Sequence, residues 1–315
     1  MEMRTLGRSG LQVSIVGLGC NNFGGMIKSL DQDGARKVVH AALDAGITLF
    51  DTADSYGSNG GSEKTLGEIL GDRRKDIVLA TKFASPMNRE KSSRYQASRG
   101  YIMKAVEDSL TRLKTDYIDL YQYHFVDPLT PFEETLRALD DLVKQGKVRY
   151  IGCSNQAAWQ LVDNSWISRH NGLNSYVSIQ AELSLLARDA QTSLLPALRA
   201  TGVSLLPFFP LASGLLTGKY RKGKDTPADT RLALPYFQSR LTDDRLDKVE
   251  KLIAFAEARG HTVLELAMSW LAAEPMVASI IAGATKPEQV TANVAAVGWK
   301  LTAEELAEVE TILNT

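Results

Sequence analysis

IDLYQYHFVDPLTPFEETLRALDDLV, residues 118–143, contains the repeating unit from which the fold can be predicted. Its first part, residues 118–124, is apolar and rich in aromatic side chains, which predicts a buried β-strand. Its second part, residues 132–143, carries apolar side chains three and four positions apart, which predicts an amphipathic α-helix. A strand followed by a helix is the unit from which parallel sheets are built.

This alternation of an apolar run and a helical pattern occurs eight times along the 315 residues, without a linker or a break in composition. We therefore predict one domain, residues 1–315, folded as a (β/α)8 TIM barrel, which needs roughly 250 residues plus insertions. The Gly-rich segment MRTLGRSGLQVS, residues 3–14, predicts an N-terminal β-hairpin. The predicted strands are residues 15–18, 48–51, 77–82, 118–124, 148–152, 177–180, 203–208 and 278–281; helices are predicted at 35–45, 101–113, 132–143 and 246–258, with two extra C-terminal helices at 287–297 and 302–313.

The composition favours small uncharged partners. A total of 36 Lys and Arg against 37 Asp and Glu gives a formal charge of -1, which favours neither nucleic acid nor an anionic membrane surface. The amino terminus lacks the apolar core of a signal peptide, and the longest apolar run, residues 203–216, is too short to span a bilayer, so we expect a cytoplasmic protein. Two cysteines and four histidines show no disulfide framework and no metal-ligand spacing, so we predict no metal site.

Four polar residues lie at or just beyond the ends of three consecutive predicted strands: Asp51, Tyr56, Lys82 and His124. If these strands are neighbours in a parallel sheet, their carboxyl ends lie side by side and the four side chains converge. A Tyr hydroxyl is a poor acid near neutral pH unless an ammonium stabilises its anion, and a carboxylate can hold that ammonium in place. The set therefore suits proton transfer to a carbonyl oxygen. Each residue also has an ordinary alternative role, as a loop cap, a packing residue, a surface charge or a hydrogen-bonded histidine.

With their surroundings, these residues resemble the aldo-keto reductase family. The motifs are FDTADSYGSNGGSEKTLGEIL, TKF, SLTRLKTDYIDLYQYH, GKVRYIGCSN and IIAGATKPEQVTAN, which occur in this order from about residue 6 to residue 297. The resemblance implies NADPH-dependent reduction of a small carbonyl substrate, with Tyr56 as general acid, Lys82 and Asp51 supporting it, and His124 orienting the carbonyl. It also implies cofactor contacts at Ser154, Asn155, Gln180, Phe208, Pro210, Leu211, Ser213, Gly214, Lys219, Gly283, Thr285, Lys286, Gln289 and Asn293.

The types of these residues fit such contacts. Amide and hydroxyl groups at strand ends can bond a nicotinamide carboxamide, and the Phe208 ring can stack on a flat ring. Ser213 and Gly214 let backbone amides approach a pyrophosphate. Lys286 precedes a helix whose amino end favours an anion, which suits the 2′-phosphate of NADPH. The substrate side departs from the family, because Ala181, Glu182 and Leu183 follow Gln180 where relatives commonly have Asn and an aromatic residue.

Several alternatives stay open at the level of sequence. Two long loops, residues 84–100 with Arg89, Lys91 and Arg94 and residues 217–241 with Lys219, Arg221, Lys222 and Lys224, are either solvated surface or a lid over phosphate. The four tryptophans are expected to pack in the core.

Instead of a carbonyl reductase, the chain could be an NAD(P)-linked sugar or alcohol dehydrogenase, or a non-catalytic, NADPH-sensing regulatory subunit. A Rossmann fold is disfavoured, because the glycines after residue 15 are not followed directly by a helix. The oligomeric state is not specified.

Overall fold

A computed structural model of the chain describes residues 1–25, 30–86, 96–227, 230–233 and 235–314, with the backbone alone at 235 and 236. Strands in this part are β1 Met3–Thr5, β2 Gln12–Ser14, β3 Val16–Gly19, β4 Leu49–Asp51, β5 Val78–Phe83, β6 Ile118–Tyr123, β7 Val148–Ser154, β8 Ser178–Glu182, β9 Ser204–Phe208 and β10 Ile280–Gly283. Helices are α1 Gln32–Asp44, α2 Gly61–Leu70, α3 Arg99–Leu113, α4 Phe132–Lys144, α5 Ala158–His170, α6 Asp189–Ser193, α7 Leu195–Thr201, α8 Pro235–Gln238, α9 Asp243–Glu257, α10 Val263–Ala273, α11 Pro287–Ala295 and α12 Ala303–Asn314.

Eight of these strands form one parallel sheet in the order β10-β3-β4-β5-β6-β7-β8-β9. The two ends of the sheet meet, because the N–H of Leu205 donates to the carbonyl of Met276 at 2.7 Å and the N–H of Ala278 donates to the carbonyl of Leu205 at 3.0 Å. The molecule is therefore the predicted (β/α)8 TIM barrel, with the hairpin β1–β2 before it. All eight predicted barrel strands are confirmed, with ends displaced by up to two residues.

Displacements of two residues occur at β7, β8 and β10, which all hold candidate site residues. Strand β7 continues to Ser154, which pairs with Gln180, and β8 continues past Gln180 to Glu182, which pairs with Phe208. The polar residues after Gly152 do not end the strand, because the parallel ladder continues through them. Gln180 therefore lies inside β8, two residues before its end.

The hairpin closes the floor of the barrel at the amino ends of the strands. Leu6 and Val13 are fully buried and pack with barrel-interior residues that include Val177 and Leu206. The Arg4 guanidinium donates to the carbonyl oxygens of Ala272 and Val277, both at 2.7 Å, which fixes the hairpin to the last βα unit. A second and larger apolar cluster fills the space between the sheet and the surrounding helices.

Helix α5 departs from the usual arrangement of a barrel helix. Trp159 and Trp166 are 66% and 57% exposed, whereas Asn164 and Ser168 of the same helix are buried. The expectation that these two tryptophans pack in the core is wrong. It is confirmed for Trp270, which is buried, and Trp299 stacks on His261 with ring centroids 4.1 Å apart. No helix among the described residues is both long enough and apolar enough to cross a bilayer.

The role of the hairpin as a floor can be measured with a pair of identical substitutions. Leu6→Ala should lower the free energy of unfolding by about 2–5 kcal/mol, because it leaves a cavity under the barrel. Leu129→Ala is the control, since Leu129 is 51% exposed and its truncation should change stability by no more than about 0.5 kcal/mol. Urea unfolding of both variants gives the comparison, and equal losses would show that the hairpin does not support the barrel.

Candidate active site

The fully buried ammonium of Lys82 is the centre of the candidate site. It donates to Asp51 Oδ2 at 2.7 Å, to the carbonyl oxygen of Thr52 at 2.8 Å and to Tyr56 Oη at 3.2 Å. An ammonium has three protons, so every one has an acceptor inside the protein. The strands β4 and β5, which supply Asp51 and Lys82, are neighbours in the sheet. The predicted convergence of these three side chains is therefore present.

Asp51 is held from two further strands. Its second oxygen, Oδ1, accepts from Gln180 Nε2 of β8 at 2.6 Å and from Gln122 Nε2 of β6 at 3.3 Å. Both oxygens of the buried carboxylate are thus bonded, which is what an ionised group needs in a dry site. The predicted site contained Gln180 but not Gln122. An amide side chain in the middle of an apolar strand, between two tyrosines, was the sequence feature that could have identified Gln122 as a site residue.

Tyr56 reaches the ammonium from the loop that follows β4. The loop turns at Gly57, which has a φ of 70°, and a Cβ there would lie 2.6 Å from the carbonyl oxygen of Gly24. The N–H of Ser62 in helix α2 donates to the carbonyl of Tyr56 at 3.0 Å, which anchors the other side of the loop. Glycine after Tyr56 is therefore a geometric requirement of this position.

The electrostatics keep both proton-carrying groups of this pair protonated near neutral pH. Burial raises the pKa of the Tyr56 phenol, and the nearby Lys82 ammonium partly opposes that rise. Burial alone would lower the pKa of Lys82, but the Asp51 carboxylate and Tyr56 outweigh it, so the pKa is raised. The site therefore holds a neutral phenol beside a cation, and the cation favours the phenolate once a proton leaves.

His124 follows β6 directly and completes the predicted set. Its ring lies edge-on to the ring of Tyr56, with centroids 5.9 Å apart. The backbone N–H of His124 donates to the backbone carbonyl of Phe83 at 3.0 Å. Burial and, secondarily, the Lys82 charge set the pKa of His124 well below its usual value, so the imidazole is neutral. Its Nδ1 is buried and has no hydrogen-bond partner in the described structure.

The residues predicted to hold a nicotinamide lie beside this set. Asn155 has a left-handed backbone with φ of 53°, and its amide donates to the carbonyl of His124 at 3.1 Å and to Ser154 Oγ at 3.0 Å. Phe208 is partly exposed at the end of β9. These contacts connect the candidate cofactor residues to His124 and, through Gln180, to Asp51.

The segment after β9 has an unusual backbone. Three consecutive residues, Ala212, Ser213 and Gly214, have positive φ values of 47°, 61° and 101°. Two of them are not glycine, and such strained backbone is typical of functional sites. The hydroxyl oxygen of Ser213 is buried and bonds to no other described residue. An unsatisfied hydroxyl in a strained turn fits a phosphate group, the ligand predicted for this segment, which also contains Pro210, Leu211 and Lys219. The backbone N–H groups of Ala212 and Gly214 donate to the carbonyls of Phe209 and Leu211 within the turn.

The segment around Lys286 has one exposed cation at a helix amino terminus. Lys286 is the N-cap residue of α11 and forms no ion pair in the described part of the chain. The side chain of Gln289 accepts from the N–H of Thr285 at 2.7 Å, which fixes the turn that carries Lys286. Gly283 is exposed at the end of β10, and Asn293 is buried on α11. The helix amino terminus and the ammonium together fit an anion.

Two arginines of the 217–241 segment cross the barrel mouth and were not predicted. Arg231 Nη2 donates to Asn22 Oδ1 at 2.8 Å. Arg240 Nη1 donates to Glu182 Oε1 at 2.6 Å, so the unusual Glu182 fixes this segment to β8.

In the same segment, Arg221 and Lys222 are ion-paired with Glu250 and Asp247 of α9, which favours a surface role for these two cations. Lys224 is exposed; of the other predicted loop, Arg89, Lys91 and Arg94 lie outside the described residues.

The sequence was compared with known proteins. Residues 15–314 match the profile of the Aldo/keto reductase family. The whole chain is 35% identical to "Probable voltage-gated potassium channel subunit beta" of Oryza sativa subsp. japonica, covering 97% of that protein. It is 36% identical to "Aldo-keto reductase YhdN" of Bacillus subtilis (strain 168), with all of this chain and 94% of that protein covered. The resemblance predicted from the motifs is confirmed.

The neutral state of His124 has a consequence for stability that can be measured. Below about pH 6.5 the unfolded chain binds a proton at this histidine and the folded chain does not. The free energy of unfolding should therefore fall as the pH drops below about 6.5, and His124→Gln should make that fall less steep. Urea unfolding at successive pH values measures the slope, with the substitution His40→Gln at an exposed histidine as control. An unchanged slope in His124→Gln would contradict this assignment.

Proposed function

Because the chain belongs to the aldo/keto reductase family of oxidoreductases, we propose that it reduces an aldehyde or ketone to an alcohol with NADPH. The observation that supports this most directly is the contact of the Lys82 ammonium with both Asp51, at 2.7 Å, and Tyr56, at 3.2 Å. It couples a phenolic proton donor to a buried cation. Such an arrangement suits a reaction in which negative charge develops on the phenolic oxygen.

In the proposed reaction, NADPH, when bound, would supply a hydride to the carbonyl carbon. Tyr56 gives its proton to the carbonyl oxygen, so the carbonyl becomes an alcohol and Tyr56 a phenolate. The phenolate is stabilised by the ammonium of Lys82, which stays charged because Asp51 neutralises it. In the reverse direction the phenolate takes the alcohol proton, so the same residues would serve an NAD(P)-linked sugar or alcohol dehydrogenase.

His124 has a separate role in this proposal. A neutral imidazole is a hydrogen-bond donor through its N–H, without becoming a competing acid. We assign it the positioning of the carbonyl oxygen next to Tyr56 Oη, which the edge-on contact of the two rings supports. Positioning of this kind lowers the barrier, because the reacting atoms meet in one geometry.

The proposed cofactor contacts extend from the strand ends to α11. Ser154, Asn155 and Gln180 would bond the carboxamide, and Gln180 keeps its oxygen and one hydrogen for this because the other hydrogen is given to Asp51. Phe208 would stack on the nicotinamide, and the segment from Pro210 to Gly214, with Lys219 and Arg231, would face the pyrophosphate. Gly283, Thr285, Lys286, Gln289 and Asn293 would surround the adenosine 2′-phosphate.

A second candidate function is a non-catalytic, NADPH-sensing regulatory subunit. It is favoured by the identity, over nearly the full chain, to proteins named as potassium channel beta subunits. Both candidates use the same cofactor contacts, and turnover separates them. Loss of absorbance from reduced cofactor in the presence of an aldehyde is expected for the enzyme and not for the sensor.

The general-acid role is tested by Tyr56→Phe. This change removes the phenolic proton and keeps the ring, so carbonyl reduction should fall by ~10²–10⁴-fold while NADPH affinity stays nearly unchanged. Tyr121→Phe is the matched control, because it removes a buried hydroxyl of strand β6 that has no partner among the described residues. Steady-state assays with several aldehydes measure both variants. Tyr56→Phe with more than half of the wild-type turnover would show that another group supplies the proton.

The preference for NADPH is tested at Lys286. Lys286→Met should weaken NADPH binding by ~1.5–3 kcal/mol, because a charge-assisted hydrogen bond to the 2′-phosphate is lost. NADH lacks this phosphate and should bind as before. Fluorescence titration of both cofactors at fixed salt gives the two affinities, with Lys300→Met as the control at another exposed lysine. Equal weakening of NADH binding and NADPH binding would show that Lys286 has a structural role and does not select the cofactor.

A further inference from the structure

The opposite end of the barrel, at the amino ends of the strands, has a cavity of about 340 Å³. It lies between the loop of the N-terminal hairpin and the segments that enter β7, β8 and β9. Its lining includes three arginines, Arg8, Arg149 and Arg169, and contains no Asp or Glu. We refer to it as the arginine cavity. Its residues are distinct from the set around Lys82.

The positive charge of this cavity is not neutralised within the described structure. Arg8 and Arg169 have no carboxylate within ion-pair distance among the described residues, and Arg169 bonds only the carbonyl oxygen of Ser165, at 3.3 Å. Arg149 donates to Asp119 at 2.8 Å, but Asp119 is also bonded by Arg74 at 2.8 Å. One carboxylate is thus shared by two arginines, which leaves excess positive charge beside the cavity.

The shape of the cavity depends on a glycine. The side chain of Arg8 passes directly over Gly202, where a Cβ would collide with the guanidinium Nε. Gly202 also has a φ of 73°, a conformation that favours glycine. The hydroxyls of Tyr150, Ser165 and Ser175 line the same space and make no hydrogen bond to other described residues. Donors of two kinds, guanidinium and hydroxyl, therefore surround this space, and neither Arg8 nor these three hydroxyls donates to an acceptor among the described residues.

We propose that the arginine cavity binds a small phosphate monoester. Guanidinium groups bond phosphate oxygens in pairs, and hydroxyl donors add further bonds to the same oxygens. A space of this size falls at the lower end of the range of ligand sites, about 300–1,000 Å³, so it has room for a small polar molecule attached to the phosphate. The apolar side chains of Val143, Ile151 and Val177 in the lining suit the carbon skeleton of such a molecule.

The test is calorimetric titration of the full-length protein with glycerol 3-phosphate and with inorganic phosphate, at constant ionic strength. The wild type should bind glycerol 3-phosphate, and more tightly than inorganic phosphate. The double variant Arg8→Gln with Arg169→Gln should lose about tenfold or more in affinity, because two charged donors are removed. Both arginines are exposed, so the fold should be kept, which circular dichroism checks, and Arg169→Gln alone serves if the double variant fails to fold.

Two control variants identify the site. Lys286→Met removes the cation of the proposed cofactor site, and Arg221→Gln removes an exposed, ion-paired arginine at another position; both should bind the probes like the wild type. Loss of binding in Lys286→Met would place the phosphate in the cofactor site and overturn the proposal. Unchanged binding in the arginine variants would also overturn it. So would the absence of binding by the wild type at ~20 mM probe, because a weak specific ligand has a dissociation constant of ~1 mM.

Discussion

The buried ammonium of Lys82 is the constraint on which the candidate site depends. A charge with no access to water is tolerated only when its protons are all bonded and its charge is matched, and Asp51, Thr52 and Tyr56 supply these contacts. Removing one member of such a buried pair typically costs about 3–5 kcal/mol, because the other charge is left without a partner. The geometry of Tyr56 is therefore set by the same contacts that make the buried Lys82 tolerable.

The network extends around the barrel from this point. Asp51 receives bonds from Gln122 on β6 and Gln180 on β8, so four strands, β4, β5, β6 and β8, contribute to one hydrogen-bonded group. Gln180 also belongs to the proposed nicotinamide contacts. A rotation of its amide would change the support of Asp51 and the contact with the cofactor together. In the proposed function, cofactor binding at Gln180 and the acidity of Tyr56 would thus be linked by three hydrogen bonds, through Asp51 and Lys82.

The sequence predicted the parts of the molecule that depend on local pattern. Apolar runs followed by amphipathic helices located all eight barrel strands, and Lys82 and His124 were found because each falls where such a run ends. Arg231 was missed, since its partner Asn22 lies 209 residues away in the chain and no local pattern separates it from the other cations of its segment. The burial of Trp159 and Trp166 was wrongly predicted for another reason. Leu161 is buried on one face of α5 and Trp159 is exposed on the other, and periodicity does not decide which apolar face turns inward.

The two ends of the barrel differ in the burial and pairing of their cations. At the carboxyl end, the Lys82 cation is fully buried and opposed by a carboxylate, so its effect is confined to the adjacent phenol and imidazole. At the amino end, Arg8 and Arg169 stay exposed with no opposing carboxylate among the described residues, so their field reaches the solvent and attracts anions from it. In barrels of this kind the amino end usually contributes stability rather than function. Stability alone gives no reason to place Arg8 and Arg169, neither of them paired with an acid among the described residues, beside Arg149 around one cavity, since like charges repel. An anionic ligand would reduce that repulsion.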